Sequence, residues 1–198
     1  MGLIEDFFAD LDRGWKRPRG GRIPLRVIGS AALMLGTGYE RRTKDGDVIE
    51  TDELTVDIRK ALLDVAGKGA DMHMRWGIYL DIVIRGLPFL PRRPVYHPVA
   101  GLKALKAFDV HALDVTDVVV TKLMRFNAND ASDVKAMVDL GLVKRKDLVQ
   151  RFESAVDNFS MDARAEDLPR CIRNLNTVER DHLRVPESKI DLPDWMGG

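Results

Sequence analysis

Apolar residues at the start of the chain recur at helical spacing. Five of them would lie on one side of a helix: Leu3, Ile4, Phe7, Phe8 and Leu11. Because one helical turn takes about 3.6 residues, this spacing predicts an amphipathic helix over residues 2–12. Similar periodicity predicts a helix over residues 53–66, whose apolar positions also recur every three or four residues.

Three shorter segments carry the signals of β-strands. Residues 25–28 are a short candidate, residues 45–51 are a second one, and residues 76–85 are rich in β-branched and aromatic side chains. Such runs, when bounded by turn residues, favour extended backbone. The first strand leads directly into Gly29 and Ser30 and then into helix-forming residues. This part of the chain therefore predicts strands that alternate with helices.

A proline-rich segment follows the third strand. Four of the nine prolines lie between residues 88 and 98, and proline interrupts both helices and central strands. Helical periodicity then dominates in four stretches, which are residues 114–126, 131–140, 145–158 and about 162–183. Gly141 fits a C-cap of the second stretch. We predict an α/β core over residues 1–98 and an α-helical region over residues 99–198 that packs on the core.

The composition is that of an ordinary globular chain and excludes several classes of protein. Of the 198 residues 45% are hydrophobic, and 31 basic residues balance 31 acidic ones, so bulk charge would not hold the chain on nucleic acid. The longest nearly apolar stretch, residues 27–35, is far shorter than the roughly 20 residues of a membrane span. The single cysteine permits neither an internal disulfide nor a cysteine-based zinc site. Acidic residues precede any apolar run, which argues against a secretory signal. We expect a cytoplasmic protein with no membrane partner.

Three aspartates are the first candidates for chemistry. Asp45 and Asp47 are one residue apart, so both carboxylates would point to the same side of a strand. Asp81 lies in the middle of an apolar strand, where an unpaired carboxylate is costly. If the two strands are neighbours, three carboxylates converge and repel one another unless a cation sits among them. Oxygen ligands of this kind suit Mg²⁺, especially when phosphate oxygens complete the coordination.

The strand-to-helix junction and its surroundings are candidates for binding phosphate. Gly29 allows close approach of the backbone, Ser30 offers a hydroxyl, and the free N–H groups that open the following helix favour an anion. Between Arg13 and Lys44 there are nine basic residues and one acidic residue, Glu40. This local charge would attract a nucleoside triphosphate or RNA toward the acidic cluster.

Each of these features also has a purely structural interpretation. An Asp-Gly-Asp sequence is commonly a turn, and Asp45 could lie at the tip of a hairpin. Asp81 could be an acid on a half-exposed strand that is partnered by Arg85. Lys122 and Arg125, which are three residues apart, could form the solvated edge of a helix.

The order of these residues resembles the signature of the DNA polymerase β-like nucleotidyltransferases. The matching pieces are Gly29-Ser30, the run Thr43-Lys44-Asp45-Gly46-Asp47, Asp81, Lys122-Leu123 and Asp133. The Arg-Thr-Lys-Asp-x-Asp run followed by a helical half is similar to the bacterial subfamily allied to AbiEii-type and MenT toxins. Two features depart from the signature: Gly46 replaces the usual hydrophobic residue between the acids, and the gap before Asp45 is long.

The resemblance implies a nucleotidyltransferase fold, with a small mixed sheet flanked by helices and an active site in the cleft beside the helical half. Two Mg²⁺ ions would be bound by Asp45, Asp47 and Asp81, and Asp81 could take a proton from the attacking hydroxyl. The implied nucleotide-binding residues are Gly29, Ser30, Lys44, Lys122 and Asp133.

The implied activity is Mg²⁺-dependent transfer of a nucleoside monophosphate from a nucleoside triphosphate to an RNA, such as tRNA, or to a protein. The chain could be the toxin of a toxin–antitoxin pair, silenced by an antitoxin protein. Two alternatives stay open. One is a catalytically weak nucleotide- or RNA-binding module of the same fold, which the Gly46 departure motivates. The other is a kinase-like phosphotransferase that differs only in which phosphorus is attacked.

Overall fold

The computed structural model describes residues 2–16, 21–159 and 163–192. The predictions that concern residues 17–20 of the basic stretch, and residue 162 in the last predicted helix, lie outside the described residues. By compactness the chain divides into two units, Met1–Leu87 with Tyr96–Asp114 and Pro88–Val95 with Val115–Gly198.

The first unit is built on one mixed sheet. In the described residues its strands are β1 (Ile23–Val27), β2 (Asp45–Ile49), β3 (Tyr79–Val83), β4 (Tyr96–Pro98) and β5 (Phe108–Leu113). Their order across the sheet is β3-β2-β1-β5-β4. The pairs β1–β5 and β2–β3 are parallel, and the pairs β1–β2 and β4–β5 are antiparallel.

Four helices accompany the sheet in the described part of this unit: α1 (Leu3–Gly14), α2 (Gly29–Thr37), α3 (Val56–Ala66) and α4 (Asp71–Trp76). The apolar face predicted for α1 is buried except at Leu3, which is exposed. The side chain of Thr55 caps α3 by accepting a hydrogen bond from the backbone N–H of Ile58.

The sheet has one apolar face and one polar face, because side chains alternate along each strand. The buried face carries small and apolar residues: Leu25, Val27, Gly46, Val48, Leu80, Phe108, Val110 and Ala112. Strand pairing assigns Arg26, Asp45, Asp47, Tyr79 and Asp81 to the opposite face. The polar face of β2 and β3 is therefore where chemistry can occur.

The second unit is helical, with α5 (Val115–Arg125), α6 (Ala128–Asp139), α7 (Arg145–Phe159) and α8 (Leu168–Thr177) in its described residues. A π-helical segment, Val178–Leu183, continues α8. The segment Pro88–Val95 belongs to this unit: Asp117 accepts a hydrogen bond from the Val95 N–H, and Arg151 binds both Asp117 and the carbonyl of Arg93.

Most predicted elements are observed, with two differences. The predicted strand over residues 76–85 begins only at Tyr79, because residues 71–76 form the short helix α4. The region over residues 99–198 was predicted to be α-helical, with its first helical stretch at residue 114, and residues 108–113 form the strand β5 instead. The alternation of Phe108, Val110 and Ala112 is the signal that marks β5.

The predicted fold class is confirmed. A five-stranded mixed sheet flanked by helices is consistent with an α+β nucleotidyltransferase fold. Within the described ranges, we find no helix that combines the length and the apolar character required to cross a membrane. Gly141 follows α6 with a φ of 70°, and its N–H donates to the carbonyl of Val138, as a glycine at a helix end does.

Candidate functional site

The three candidate aspartates share one face of two neighbouring strands. Asp45 pairs with Tyr79 in the β2–β3 register, and Asp47 pairs directly with Asp81. Residues paired in register on parallel strands project their side chains to the same side of the sheet. The sequence analysis required the strand of Asp81 to be a neighbour of the strand of Asp45 and Asp47. The pairing of β2 with β3 meets this requirement.

The hairpin interpretation of Asp45 and Gly46 is wrong. Both residues lie within β2 and pair with Tyr79 and Leu80 of β3. The Arg85 interpretation of Asp81 is also not observed, because Arg85 forms its ion pair with Asp52, at 3.5 Å.

Gly29 lies against the carboxylate of Asp47. A Cβ atom on Gly29 would be 2.8 Å from Oδ2 of Asp47, and Gly29 has a φ of 64° at the start of α2. The N–H of Ile28 donates to the carbonyl of Asp47 at 2.9 Å, which ties the start of α2 to β2. Position 29 therefore favours glycine for two reasons. The backbone is left-handed there, and the Asp47 carboxylate occupies the space that a Cβ atom would need. Ser30 follows at the second position of α2.

The carboxylate of Asp45 is oriented by the residue that begins the motif. The Thr43 hydroxyl lies 2.9 Å from Oδ1 of Asp45 and donates to it, and the Thr43 residue is only 8% exposed. Lys44, between them, is exposed, and its carbonyl accepts a hydrogen bond from the N–H of Tyr79. The run Thr43-Lys44-Asp45 therefore links β2 to β3 while it presents one acid and one base.

Tyr79 is a residue of this site that the sequence did not reveal. Burial raises the pKa of its phenol, and the charges of Asp45, Asp81 and Asp47 raise this pKa further. The phenol therefore lies within the field of all three carboxylates. No local sequence signal distinguishes Tyr79 from the other aromatic residues of a strand, because its significance comes from strand pairing.

Two basic residues flank the Tyr79 ring. The ring of His73, in α4, meets it edge to face with the centroids 5.3 Å apart, and Nζ of Lys68 lies 6.0 Å from the Tyr79 centroid. The Tyr79 ring is thus close to the side chains of His73 and Lys68, while its backbone pairs with Asp45.

The donor chemistry of the sheet face fits Mg²⁺, because three carboxylates on adjacent strands can supply hard oxygen ligands. In the ranges that the structure covers, no group of three or more Asp, Glu, His or Cys side chains is already gathered closely enough to hold an ion. Mutual repulsion keeps like charges apart until a cation offsets it. The backbone thus places Asp45, Asp47 and Asp81 on one face of the sheet. Binding of an ion would require their carboxylates to move closer together.

Lys122 and Asp133 lie in the second unit and contact each other. Nζ of Lys122 is 2.8 Å from Oδ2 of Asp133 and 3.1 Å from Oδ1 of Asp130, and the Lys122 side chain is 6% exposed. Arg125 also binds Asp130. The interpretation of Lys122 as a solvated helix edge is therefore wrong, because its amine is buried between two aspartates.

The fold and the sheet face together define a nucleotidyltransferase-type α+β domain: a mixed sheet, a Gly-Ser helix start, paired acids on one strand and a third acid on the next strand. Comparison with known families agrees with this class. Residues 10–180 match the family described as "Nucleotidyltransferase of unknown function" (DUF6036), and the chain belongs to this family. Neither the curated proteins nor the solved structures contain a match to the chain.

Proposed function

We propose that this protein is a Mg²⁺-dependent nucleotidyltransferase that transfers a nucleoside monophosphate from a nucleoside triphosphate to an acceptor. The observation that carries the proposal is the pairing of Asp47 with Asp81 in the β2–β3 register, with Asp45 on the same face. The contact between Gly29 and Asp47 places the start of α2 beside these acids. Membership of a nucleotidyltransferase family supports the same chemistry.

Each acid has a proposed role. Asp45 and Asp47 would hold the magnesium ions, and Asp81 would add the third carboxylate ligand. Bound magnesium would neutralise the phosphates and stabilise charge on the attacking and leaving oxygens. The Thr43 hydroxyl keeps the Asp45 carboxylate in a single orientation.

The reaction itself moves one group and one proton. The acceptor hydroxyl oxygen attacks the α-phosphorus, a new P–O bond forms, and the bond from that phosphorus to the bridging oxygen breaks. Pyrophosphate leaves with the bonding electron pair, and Asp81 accepts the proton of the hydroxyl. The protein contributes mainly position and charge, as is usual in phosphoryl transfer.

Binding of the nucleotide is assigned to the remaining candidate residues. We assign phosphate oxygens to Gly29, Ser30 and the backbone N–H groups that open α2, and the exposed Lys44 adds a positive charge. For Lys122 and Asp133, in the second unit, the assignment to the nucleotide stays a prediction from the family resemblance, because the Lys122 amine is bound by Asp130 and Asp133 in the structure.

The proposed acceptor is RNA, such as tRNA, and the proposed context is a toxin–antitoxin pair. The nine basic residues between Arg13 and Lys44, and the resemblance of the Arg-Thr-Lys-Asp-x-Asp run to AbiEii-type and MenT toxins, support this choice. A protein acceptor is the other outcome that the assay can return. An adjacent reading frame whose product suppresses the activity would support the toxin role.

The test is transfer by the pure protein. We would incubate it with Mg²⁺, total cellular RNA and each of four nucleoside triphosphates labelled at the α-phosphate, and measure labelled RNA, labelled protein and released pyrophosphate. Asp47→Ala should lower the rate by at least about a hundredfold, because metal ligands supply several kcal/mol of transition-state stabilisation. Asp64→Ala, at an exposed position of α3, is the matched control. The proposal is wrong if Asp47→Ala transfers nucleotide as fast as the parent.

A nucleotide- or RNA-binding module of the same fold is the second candidate. One observation favours it: Gly46 stands between the paired acids, where the family signature usually has a hydrophobic residue. Nucleotide binding without pyrophosphate release would support the module. Transfer of a γ-phosphate label instead of the α-phosphate label would indicate the kinase-like alternative.

A further inference from the structure

Lys68 is an exposed cation next to the carboxylate face of the sheet. It lies between the end of α3 at Ala66 and the start of α4 at Asp71. Its ammonium nitrogen is 6.0 Å from the centre of the Tyr79 ring, which is the outer limit of a cation–π contact. Tyr79 is directly opposite Asp45 in the strand register. The cation therefore lies near a residue that pairs with one of the three acids.

Hydrogen bonds fix the backbone of the loop that carries Lys68. The N–H of Gly69 donates to Nδ1 of His73 at 3.0 Å, and the His73 ring packs edge to face on Tyr79. The N–H of Ala70 donates to the carbonyl of Gly67 at 3.0 Å. These contacts connect the loop that carries Lys68 to α4 and, through the His73 ring, to Tyr79 of β3.

Charge balance shows what such a cation can do. Three carboxylates and a triphosphate are all anionic, and magnesium offsets only part of this charge. The phosphates therefore need positive side chains that are accessible to them. The amine of Lys122 is buried between Asp130 and Asp133, whereas Lys68 is exposed and lies beside the ring of Tyr79, which pairs with Asp45.

We propose that Lys68 binds the polyphosphate chain of the nucleoside triphosphate, and that Tyr79 is a positioning residue that holds Lys68 at the carboxylate face. This inference rests on the proposed function, because it assigns a further binding residue to the same site. It adds the loop between α3 and α4 to the nucleotide site, which no motif in the sequence indicates.

The test compares two ligands, of which only the nucleotide should lose affinity when Lys68 is replaced. The probes are Mn²⁺ alone, followed by electron paramagnetic resonance, and the four α,β-methylene nucleoside triphosphates with Mg²⁺, followed by calorimetry. Lys68→Ala should weaken nucleotide binding about tenfold, the usual size of a charge-assisted contact. The same change removes a positive charge near the carboxylates, so Mn²⁺ should bind equally well or up to about threefold more tightly. Lys60→Ala, at an exposed position of α3, should change neither affinity.

Variants of Tyr79 separate positioning from mere proximity. Tyr79→Phe keeps the ring that holds the ammonium, so its nucleotide affinity should stay within about twofold of the parent. Tyr79→Leu removes the ring, and its loss of nucleotide affinity should be a part of the loss measured for Lys68→Ala. The double variant of Lys68→Ala and Tyr79→Leu should bind the nucleotide as tightly as Lys68→Ala does. If Tyr79 acts only through Lys68, the effects of the two substitutions do not add.

The outcomes distinguish this inference from the function on which it rests. If the parent binds none of the four nucleotides, the proposed function fails and the inference fails with it. If the parent binds a nucleotide and Lys68→Ala binds it equally well, the inference alone is overturned. Loss of both nucleotide and Mn²⁺ affinity in Lys68→Ala would also overturn it, because that pattern indicates damage to the sheet face.

Discussion

The two units of this protein treat their acidic side chains in opposite ways. In the first unit, Asp45, Asp47 and Asp81 lie on the polar face of a sheet, beside one another and partly or fully exposed. Among the described residues of the second unit, four acids are buried and each binds a basic side chain: Asp117, Asp130, Asp133 and Glu179. Acids of the same chemical type therefore serve two different purposes.

The difference teaches how to separate functional acids from structural ones. A buried carboxylate is tolerated when a cation and hydrogen bonds replace water, and Glu179 illustrates this with Arg145 and the N–H of Ser188. The negative charge of Glu179 is therefore neutralised by contacts inside the second unit. Acids that adjoin like charges on an accessible face are costly for stability, and such an arrangement is typical of a site that binds a cation.

The largest expected effect concerns the buried cluster. Lys122→Met leaves Asp130 and Asp133 buried without the Lys122 ammonium, and removing one partner of a buried ion pair costs about 3–5 kcal/mol. Chemical denaturation should show this loss of unfolding free energy. Lys135→Met, which breaks the exposed Lys135–Asp139 pair on α6, should cost less than about 1 kcal/mol. If Lys122→Met is as stable as the parent but binds nucleotide poorly, the comparison between the units is wrong for Lys122.

The next effect concerns Gly29 and has a matched control at Gly38. Both residues have left-handed backbone, with φ values of 64° and 68°, but only a Cβ on Gly29 would meet the Asp47 carboxylate. We expect Gly29→Ala and Gly38→Ala each to lose about 1 kcal/mol of stability from backbone strain. Nucleotidyl transfer should fall sharply in Gly29→Ala alone. Equal transfer rates in the two variants would contradict the role given to the Gly29–Asp47 contact.

A smaller effect of opposite sign is expected at Asp81. Its carboxylate is opposite that of Asp47, and like charges opposite each other on neighbouring strands destabilise a sheet by a few tenths of a kcal/mol, up to about 1. Asp81→Asn should therefore raise the unfolding free energy at low salt, and the gain should shrink as salt screens the repulsion. The same variant should lose transfer activity. A marked loss of stability would instead place Asp81 among the structural acids.

The smallest effect is a pH dependence of the buried cluster. Burial would raise the pKa of Asp130, but the hydrogen bond from Arg125 and the charge of Lys122 outweigh burial and lower it below its usual 3.8. A depressed folded-state pKa stabilises the fold above the unfolded-state value, and this stabilisation is lost as pH falls through the folded-state value.

Denaturation between about pH 5 and pH 3 measures this contribution. The unfolding free energy of the parent should fall over this interval, and that of Asp130→Asn should fall less. Asp139→Asn, at an exposed position of α6, should follow the parent. Identical curves for the parent and Asp130→Asn would remove Asp130 from the structural acids.

Much of the fold could be predicted because its signals are local. The helix over residues 2–12 follows from apolar spacing, and the junction at Gly29 follows from a strand that meets helix-forming residues. The errors have equally local causes. The predicted third strand began too early because Trp76, the last residue of α4, looks like part of the apolar strand that follows. The strand β5 was missed because the helical periodicity of the segments after it hides its own alternation.

The candidate site was predictable only in part. The motif places Asp45 and Asp47 on one side of a strand by periodicity alone. Its relation to Asp81 depends on which strands pair and in what register, and a shift of one residue would turn Asp81 to the other face. The neighbours Tyr79 and Lys68 have no motif of their own, since a loop and a strand edge bring them to the site.

The sequence by itself determined the elements, the class of fold and the residue types available for chemistry, because these follow from periodicity, propensity and order along the chain. The tertiary structure decided which acids share a surface and which are buried against cations. That division depends on long-range pairing and desolvation, which arise only when distant segments meet. The motif singles out Asp47, but only strand pairing sets it beside Asp81, and only packing buries Asp133 against Lys122.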